Sequence, residues 1–268
     1  MLIKLIKHDI ISLFKRIGLS WLIFGTIILI SIPIGRSIQG TYETQKIALV
    51  LIAPSVACFG FSISGLISSF PWFLSKMFSN EGYLTHTLPA RTGTIVLSKI
   101  FATLLLSFLG FVLAVLSYYL FSMAVFGGLM RKIAPDFPFE FSILVNIVKE
   151  MFTGLGMKIA LSQFLNLLAF ILTGYFSISL AQFLHSGKRG LMATVYFILL
   201  SILFSLLTNY AIQPFLTGTY SGETFSMAQV NAHLSRSFVI SYLTSGIKIV
   251  AFWLGTMGIC SKYLNLKG

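Results

Sequence analysis

Long uninterrupted apolar runs dominate this sequence and restrict its possible folds more than any other feature. An α-helix needs about 20 apolar residues to cross the hydrocarbon core of a bilayer. Six segments meet that requirement, at residues 18–35, 47–74, 96–126, 160–184, 190–212 and 238–260. Only 10% of the residues are charged and the mean hydropathy is +0.92, whereas soluble domains carry about 25% charged residues. The runs predict an all-α integral membrane protein with six transmembrane helices.

The segment before the first span, residues 1–17, has an amphipathic pattern. Its apolar residues on one helical face are Leu2, Leu5, Ile6, Ile10, Leu13 and Phe14, and its basic residues, mostly elsewhere, are Lys4, Lys7, Lys15 and Arg16. This pattern predicts a helix that lies in the membrane interface against lipid. A signal peptide is the alternative, but the apolar run is too long and no A-x-A cleavage site follows it.

The net charge of +12 comes from 19 Lys and Arg against 7 Asp and Glu. Most of the basic residues flank the apolar runs, which is typical of membrane orientation, so the charge does not predict nucleic-acid binding. With the N-terminus inside, eleven basic residues lie on the cytoplasmic side and seven on the other. Both termini and loop 79–93 are then cytoplasmic, and the 127–159 connection is extracellular. No loop is long enough for a second domain, so residues 1–268 form one membrane domain.

The familiar catalytic and cofactor motifs are missing. The sequence lacks a G-x-x-x-x-G-K-[ST] P-loop, an H-E-x-x-H and a G-x-S-x-G. Its four histidines are scattered, and Cys58 and Cys260 lie far apart in apolar runs, without metal-ligand spacing. We therefore expect no catalytic, cofactor or metal residues in this chain.

Few polar residues fall inside the predicted spans. Lys248 is the only embedded charge; it contacts a substrate or partner helix, or its stem snorkels to the interface. Gly60, Ser64 and Ser68 recur every four residues in the second span. Small residues at that spacing allow close helix packing, either within one subunit or at a pore or dimer face.

The polar stretch SNEGYLTHTLPARTG at 79–93 separates spans two and three. Its first residues form a turn or cap, those from Tyr83 to Leu88 fit a short helix, and Pro89 discourages its continuation. Aromatic and aliphatic side chains on such a helix are suited to filling a groove on a soluble partner. A plain connector explains Gly82 and Pro89 equally well.

The segment EGYLTHTLPA, followed by Ser98-Lys99 at the start of a span, resembles the first cytoplasmic loop of ABC-2-type transporter permeases. Small six-span members of that family carry similar E-G-Y-L-x-x-T-L-P segments. The resemblance implies that this loop contains a coupling helix that docks on an ATPase subunit. Its residues would be Asn80, Glu81, Gly82, Tyr83, Leu84, Thr85, His86, Thr87, Leu88 and Pro89.

The resemblance also implies the surrounding assembly. Two permease subunits, identical or paralogous, would join two copies of a cytoplasmic ATPase in a bacterial cytoplasmic membrane. ATP and Mg²⁺ would bind the ATPase, and this chain would carry no cofactor and no enzymatic activity.

The expected function is that of an exporter permease for a hydrophobic or amphipathic substrate such as a peptide, toxin or antibiotic. The alternatives are a non-pumping sensor or immunity protein that binds an amphipathic peptide, and a membrane-embedded enzyme.

Overall fold

A computed structural model of the chain describes residues 2–37, 44–78, 92–133, 149, 152–184, 189–212 and 227–265. These residues form six α-helices and contain no strand. The helices are α1 (Leu2–Ser37), α2 (Thr44–Phe78), α3 (Thr92–Ile133), α4 (Gly154–Leu184), α5 (Arg189–Leu206) and α6 (Met227–Asn265), and a π-helical turn, Leu207–Ile212, follows α5.

Five of the helices are long and apolar enough to cross a membrane. Their candidate spans are Leu2–Ile34, Pro54–Phe78, Thr92–Met123, Gly154–Leu184 and Ser235–Lys262. The predicted class, an all-α multi-pass membrane protein, is therefore confirmed. The predicted span at 190–212 is divided between the shorter apolar helix Gly190–Leu206 and the π-helical turn.

Helix α1 joins two segments that the sequence pattern treats separately. The predicted interfacial helix 1–17 and the predicted span 18–35 form one unbroken helix of 36 residues. At 1.5 Å per residue α1 is about 54 Å long, against about 30 Å of hydrocarbon. Four of its basic side chains lie exposed in its first half, at Lys4, Lys7, Lys15 and Arg16. These charges are suited to the part of α1 that extends beyond the hydrocarbon.

The helices divide into two compact units. Unit 1 comprises Met1–Trp72 and Phe101–Glu150, and unit 2 comprises Phe73–Ile100 and Met151–Gly268. The buried core of unit 1 consists of Leu13, Ile17, Trp21, Ile28, Ala57, Phe61, Trp72, Ala102, Leu106, Ala114, Phe121 and Val125. This core lies along three helices, α1, α2 and α3.

Two tryptophans of unit 1 hold α1 against α2. The indole Nε1 of Trp21 donates to the Ser64 hydroxyl at 2.7 Å, and that of Trp72 donates to the Ser12 hydroxyl at 3.2 Å. The residue later in α1, Trp21, bonds to the residue earlier in α2, Ser64, so the two helices are antiparallel. The indole N–H is the one polar group on each of these large apolar rings. Because it is hydrogen-bonded across the interface, it fixes the register of α1 against α2 and leaves no unpaired donor in lipid.

Glycines allow α2 and α3 to approach closely. A Cβ built at Gly110 would lie 2.6 Å from the carbonyl oxygen of Phe61, and one at Gly65 would lie 3.2 Å from the Cα of Ser107. A contact under 3 Å with backbone cannot be relieved by a side-chain rotation. The packing of α2 against α3 in unit 1 therefore requires glycine at position 110.

In unit 2, helices α4 and α6 run parallel. Ser162 contacts Ser241 near the start of α4, and Ser179 contacts Cys260 near its end. The two contacts advance together along both helices. Helix α5 lies beside α4, where the rings of Phe170 and Phe197 meet edge to face at 5.2 Å.

The change Gly110→Ala should destabilise the protein by about 1–3 kcal/mol, the cost of overpacking a closed contact. Gly18→Ala is the matched control, because a Cβ there meets nothing within 4 Å. The control should be neutral or stabilising by up to about 1 kcal/mol, since alanine is the better helix former. The free energy of unfolding in mixed detergent micelles measures both. Equal effects at the two positions would contradict the close approach of α2 and α3.

Candidate functional site

The predicted coupling helix at residues 80–89 lies outside the described residues. The structure does describe the two ends from which this segment leaves the fold. Helix α2 ends at Phe78 and α3 begins at Thr92.

Both ends are anchored within unit 2. The ring of Phe73 stacks on the fully buried ring of Tyr175 in α4, with centroids 3.9 Å apart and planes 8° from parallel. On the other side of the loop, a Cβ built at Gly93 would lie 2.6 Å from the Cε of Met257 in α6. The last two turns of α2 and the first turn of α3 therefore contact the C-terminal parts of α4 and α6.

Several connections between helices lie at the end of unit 2 where these contacts are made. The chain enters the 79–91 segment here, next to the C-terminal parts of α4 and α6. Helix α4 ends at Leu184, and only four residues separate it from α5 at Arg189. The chain also leaves α6 here, after Asn265. The predicted six-span topology also puts the 185–188 connection on the cytoplasmic side, and this connection and the 79–91 segment start from the same end of unit 2.

The residues that follow the loop are deeply buried. Ser98 is 0% exposed and Lys99 is 1% exposed. The Ser98 hydroxyl donates to the carbonyl oxygen of Ile95 at 2.8 Å. Lys99 is one of the eleven basic residues predicted on the cytoplasmic side, yet its side chain lies inside the protein.

Two of the three small residues predicted to pack in span two contact α1. Gly60 packs directly against the ring of Phe24. Ser64 accepts the Trp21 bond and donates to the carbonyl oxygen of Phe61 at 3.0 Å. Ser68 is half-buried. The contacts of Gly60 and Ser64 therefore serve packing within a single chain.

A chain of hydrogen bonds, here called the polar seam, joins α4 to α6. It consists of Ser162, Asn166, Ser241 and Ser245. The hydroxyls of Ser162 and Ser241 are 2.7 Å apart, Asn166 Nδ2 donates to the Ser241 hydroxyl at 3.3 Å, and the Ser245 hydroxyl donates to Asn166 Oδ1 at 2.6 Å. Such bonds between helices stabilise association in lipid, where a lost partner is not replaced by water.

The polar seam was missed in the sequence, although its spacing is visible there. Ser162 and Asn166 are four residues apart in α4, and so are Ser241 and Ser245 in α6. Residues at that spacing share a helical face. What the sequence lacks is any indication that these two faces meet across 79 residues.

Lys248 lies on the same side of α6, three residues after Ser245. Its Nζ is 5.6 Å from the centroid of the Phe204 ring, within cation–π range. The Phe204 ring meets Phe252 edge to face at 5.0 Å, and Phe252 stacks with Phe176 at 5.2 Å. Lys248 therefore separates the polar seam from an aromatic cluster, defined as Phe176, Phe204 and Phe252.

The position of Lys248 along α6 bears on the two interpretations of its role. It lies thirteen residues from Ser235 and fourteen from Lys262, the ends of its span. At 1.5 Å per residue each end is about 20 Å away along the helix. A four-carbon stem does not cover that distance, so the position argues against snorkelling.

The described residues hold no group of three or more His, Cys, Asp or Glu side chains that could bind a metal. Cys58 and Cys260 are both free thiols, half-buried and buried respectively. No protein-family model, curated protein or solved structure matches this chain.

The change Ser245→Ala should destabilise the protein by about 0.6–1.7 kcal/mol, because it removes an interhelical donor and leaves Asn166 Oδ1 unsatisfied. Ser201→Ala is the control, since that hydroxyl donates only to the Phe197 carbonyl of its own helix at 2.7 Å. The control should change the free energy of unfolding by no more than about 0.5 kcal/mol. Equal losses would show that the polar seam does not join the helices.

Proposed function

We propose that this chain is the membrane-spanning permease subunit of an ATP-driven ABC exporter that works with a separate cytoplasmic ATPase. The observation that carries the proposal is the anchoring of both ends of the 79–91 segment at one end of unit 2. The EGYLTHTLPA sequence of that segment resembles the docking loop of ABC-2-type permeases. A partner bound there would reach both α4 and α6 through direct contacts.

The parallel arrangement of α4 and α6 supports six spans. If both helices cross the bilayer in the same direction, the chain must return across it between them. Helix α5 alone is about 27 Å long at 1.5 Å per residue, slightly short of the ~30 Å hydrocarbon core. The π-helical turn Leu207–Ile212 lengthens it. Six spans would put both termini on the cytoplasmic side.

The contacts at the loop ends offer a route for coupling. ATP binding would close the two ATPase subunits and displace the coupling helix. Its movement would pass from Phe78 and Thr92 into α4 through the Phe73–Tyr175 stack, and into α6 at Met257. The spans would then rock from an inward-open to an outward-open arrangement. ATP drives this change because it binds the closed ATPase pair more tightly than the open one.

The membrane-embedded residues favour a hydrophobic or amphipathic substrate, with a peptide, toxin or antibiotic as the leading class. Of the residues that the structure describes, Asp9 is the sole acid, and it lies in the first half of α1. Carriers driven by ion gradients use carboxylates or histidines within their spans. The described spans instead present aromatic and aliphatic side chains, and ATP hydrolysis in a partner would supply the energy.

The first test is retention of the ATPase. A tag on this chain should co-purify, from detergent, a soluble P-loop ATPase encoded by an adjacent reading frame. The double variant Glu81→Lys, Leu84→Asp should lose it, because a reversed charge and a buried carboxylate cannot dock as the native side chains do.

The matched control carries the same chemical changes on the side predicted to be extracellular, in Glu223→Lys, Leu216→Asp. It should retain the ATPase. If the wild-type chain retains no ATPase, or if the loop variant retains it fully in folded protein, the exporter proposal fails. A sensor or immunity protein that binds an amphipathic peptide without pumping would then be the better explanation.

The second test concerns topology. In a chain with Cys58 and Cys260 replaced by Ala, single cysteines are introduced as Ser186→Cys and Thr217→Cys. A membrane-impermeant maleimide added to intact cells should label position 217 at once, and position 186 only after permeabilisation. Labelling of both positions from the same side would mean that α5 does not cross the bilayer, and six spans would be wrong.

A further inference from the structure

Lys248 is a cation in the middle of a membrane span, and the described residues of unit 2 include no carboxylate to pair with it. The sequence of unit 2 contains two acids, Glu81 and Glu223, and both lie outside the described residues. The contact that the structure does give to the ammonium is the face of the Phe204 ring. A cation–π contact recovers only part of the hydration that an ammonium loses in lipid.

The surroundings of Lys248 change from polar to apolar along α6. One turn before it, Ser245 and Asn166 form the end of the polar seam. Asn166 has two amide hydrogens, and its bond to Ser241 uses one of them, so a second donor is left for a ligand. One turn after Lys248, Phe252 joins the aromatic cluster. A cation with a nearby neutral donor on one side and stacked rings on the other matches a molecule with an acidic head and an apolar body.

This region is also accessible at the surface of the chain. Lys248 and Phe204 are half-buried, and Asn166 is exposed. The backbone next to the ring is irregular, because the π-helical turn begins at Leu207, and the Thr208 hydroxyl donates to the Phe204 carbonyl oxygen at 2.7 Å. π-Helical turns frequently occur at functional sites.

The geometry points to an intramembrane binding site for an anionic amphiphile, in which Lys248 pairs with the acidic group and the aromatic cluster contacts the apolar chain. Asn166 would donate its second amide hydrogen to the same acidic group. The inference does not require an ATPase, since a membrane protein that never pumps could hold such a ligand. Within the exporter proposal, it makes acidic amphiphiles the substrate class.

The acidic group can be a carboxylate or a phosphate. The depth of Lys248 in the bilayer distinguishes between these two sources. The phosphates of bilayer lipids lie at the interface, whereas Lys248 lies about 20 Å along α6 from either end of its span. A ligand that enters between the helices with its head group reaches that depth more readily than a lipid that remains in its leaflet. We therefore take a single-chain carboxylate as the probe.

The experiment measures binding of an anthroyl-labelled stearate, and of its methyl ester, to the full-length protein in detergent micelles. Lys248→Met should weaken binding of the carboxylate by at least about tenfold, the effect of losing one charge-assisted hydrogen bond. The same variant should leave binding of the uncharged ester unchanged. Lys248→Arg should retain the carboxylate, because it keeps the charge.

Lys262→Met is the matched control, since Lys262 is exposed in the last turn of the same helix. It should bind both probes as the wild-type chain does. If Lys248→Met fails to fold, Phe204→Leu replaces it; that variant keeps the charge, removes the ring and should weaken both probes. The inference is overturned if the wild-type chain binds acid and ester equally or binds neither, or if folded Lys248→Met retains the acid.

Competition identifies the natural source of the acidic group. Displacement of the labelled stearate by phosphatidylglycerol, but not by phosphatidylcholine, would assign the site to the phosphate of an anionic lipid. Displacement by neither lipid would assign it to a carboxylate ligand. ATPase retention by the Lys248→Met chain would be unchanged in both cases, so this test and the test of the exporter proposal fail independently.

Discussion

The absence of water around hydrogen-bonding groups in a bilayer is the constraint on which the other features of this structure depend. Every backbone group in a span must find a partner inside the protein, and a polar side chain left unpaired there is costly. The hydroxyls of Thr173 and Ser177 donate to carbonyl oxygens of their own helix at 2.7 Å. Such hydroxyls are satisfied locally and join nothing. Association between helices therefore falls to the few polar groups that reach across, and to the shapes of the apolar surfaces.

The two units meet this constraint in different ways. Unit 1 uses backbone proximity, with Gly110 against the Phe61 carbonyl, and indole donors that reach single hydroxyls. Unit 2 uses a continuous run of serine and asparagine bonds, and beyond it a set of stacked rings. The first arrangement has little tolerance for added volume. The second has little tolerance for a lost donor.

The sequence predicted the helical class and most of the spans because hydropathy is a local property. It did not predict that α1 continues through residue 17, since a change from amphipathic to uniformly apolar residues does not break a helix. It identified Lys248 as embedded, because no other charge lies in the middle of a run. The Phe204 ring and the polar seam could not be found in this way, since their partners are 44 to 79 residues apart and the helix faces that meet are decided by packing. The coupling residues 80–89 remain a prediction from resemblance.

The parallel contact between α4 and α6 has a mechanical consequence. The two helices are attached at the Ser162–Ser241 level, at the Phe176–Phe252 level and again at Ser179–Cys260, and these attachments would make them move as one stiff rod. When a rod tilts about its middle, its two ends move in opposite directions. A small sideways push near Tyr175 and Met257 would therefore swing Tyr242, about 22 Å away along α6, in the opposite direction. Lys248 lies between these two ends of α6, near the middle of the rod. The same tilt would therefore move its side chain less than it moves either end.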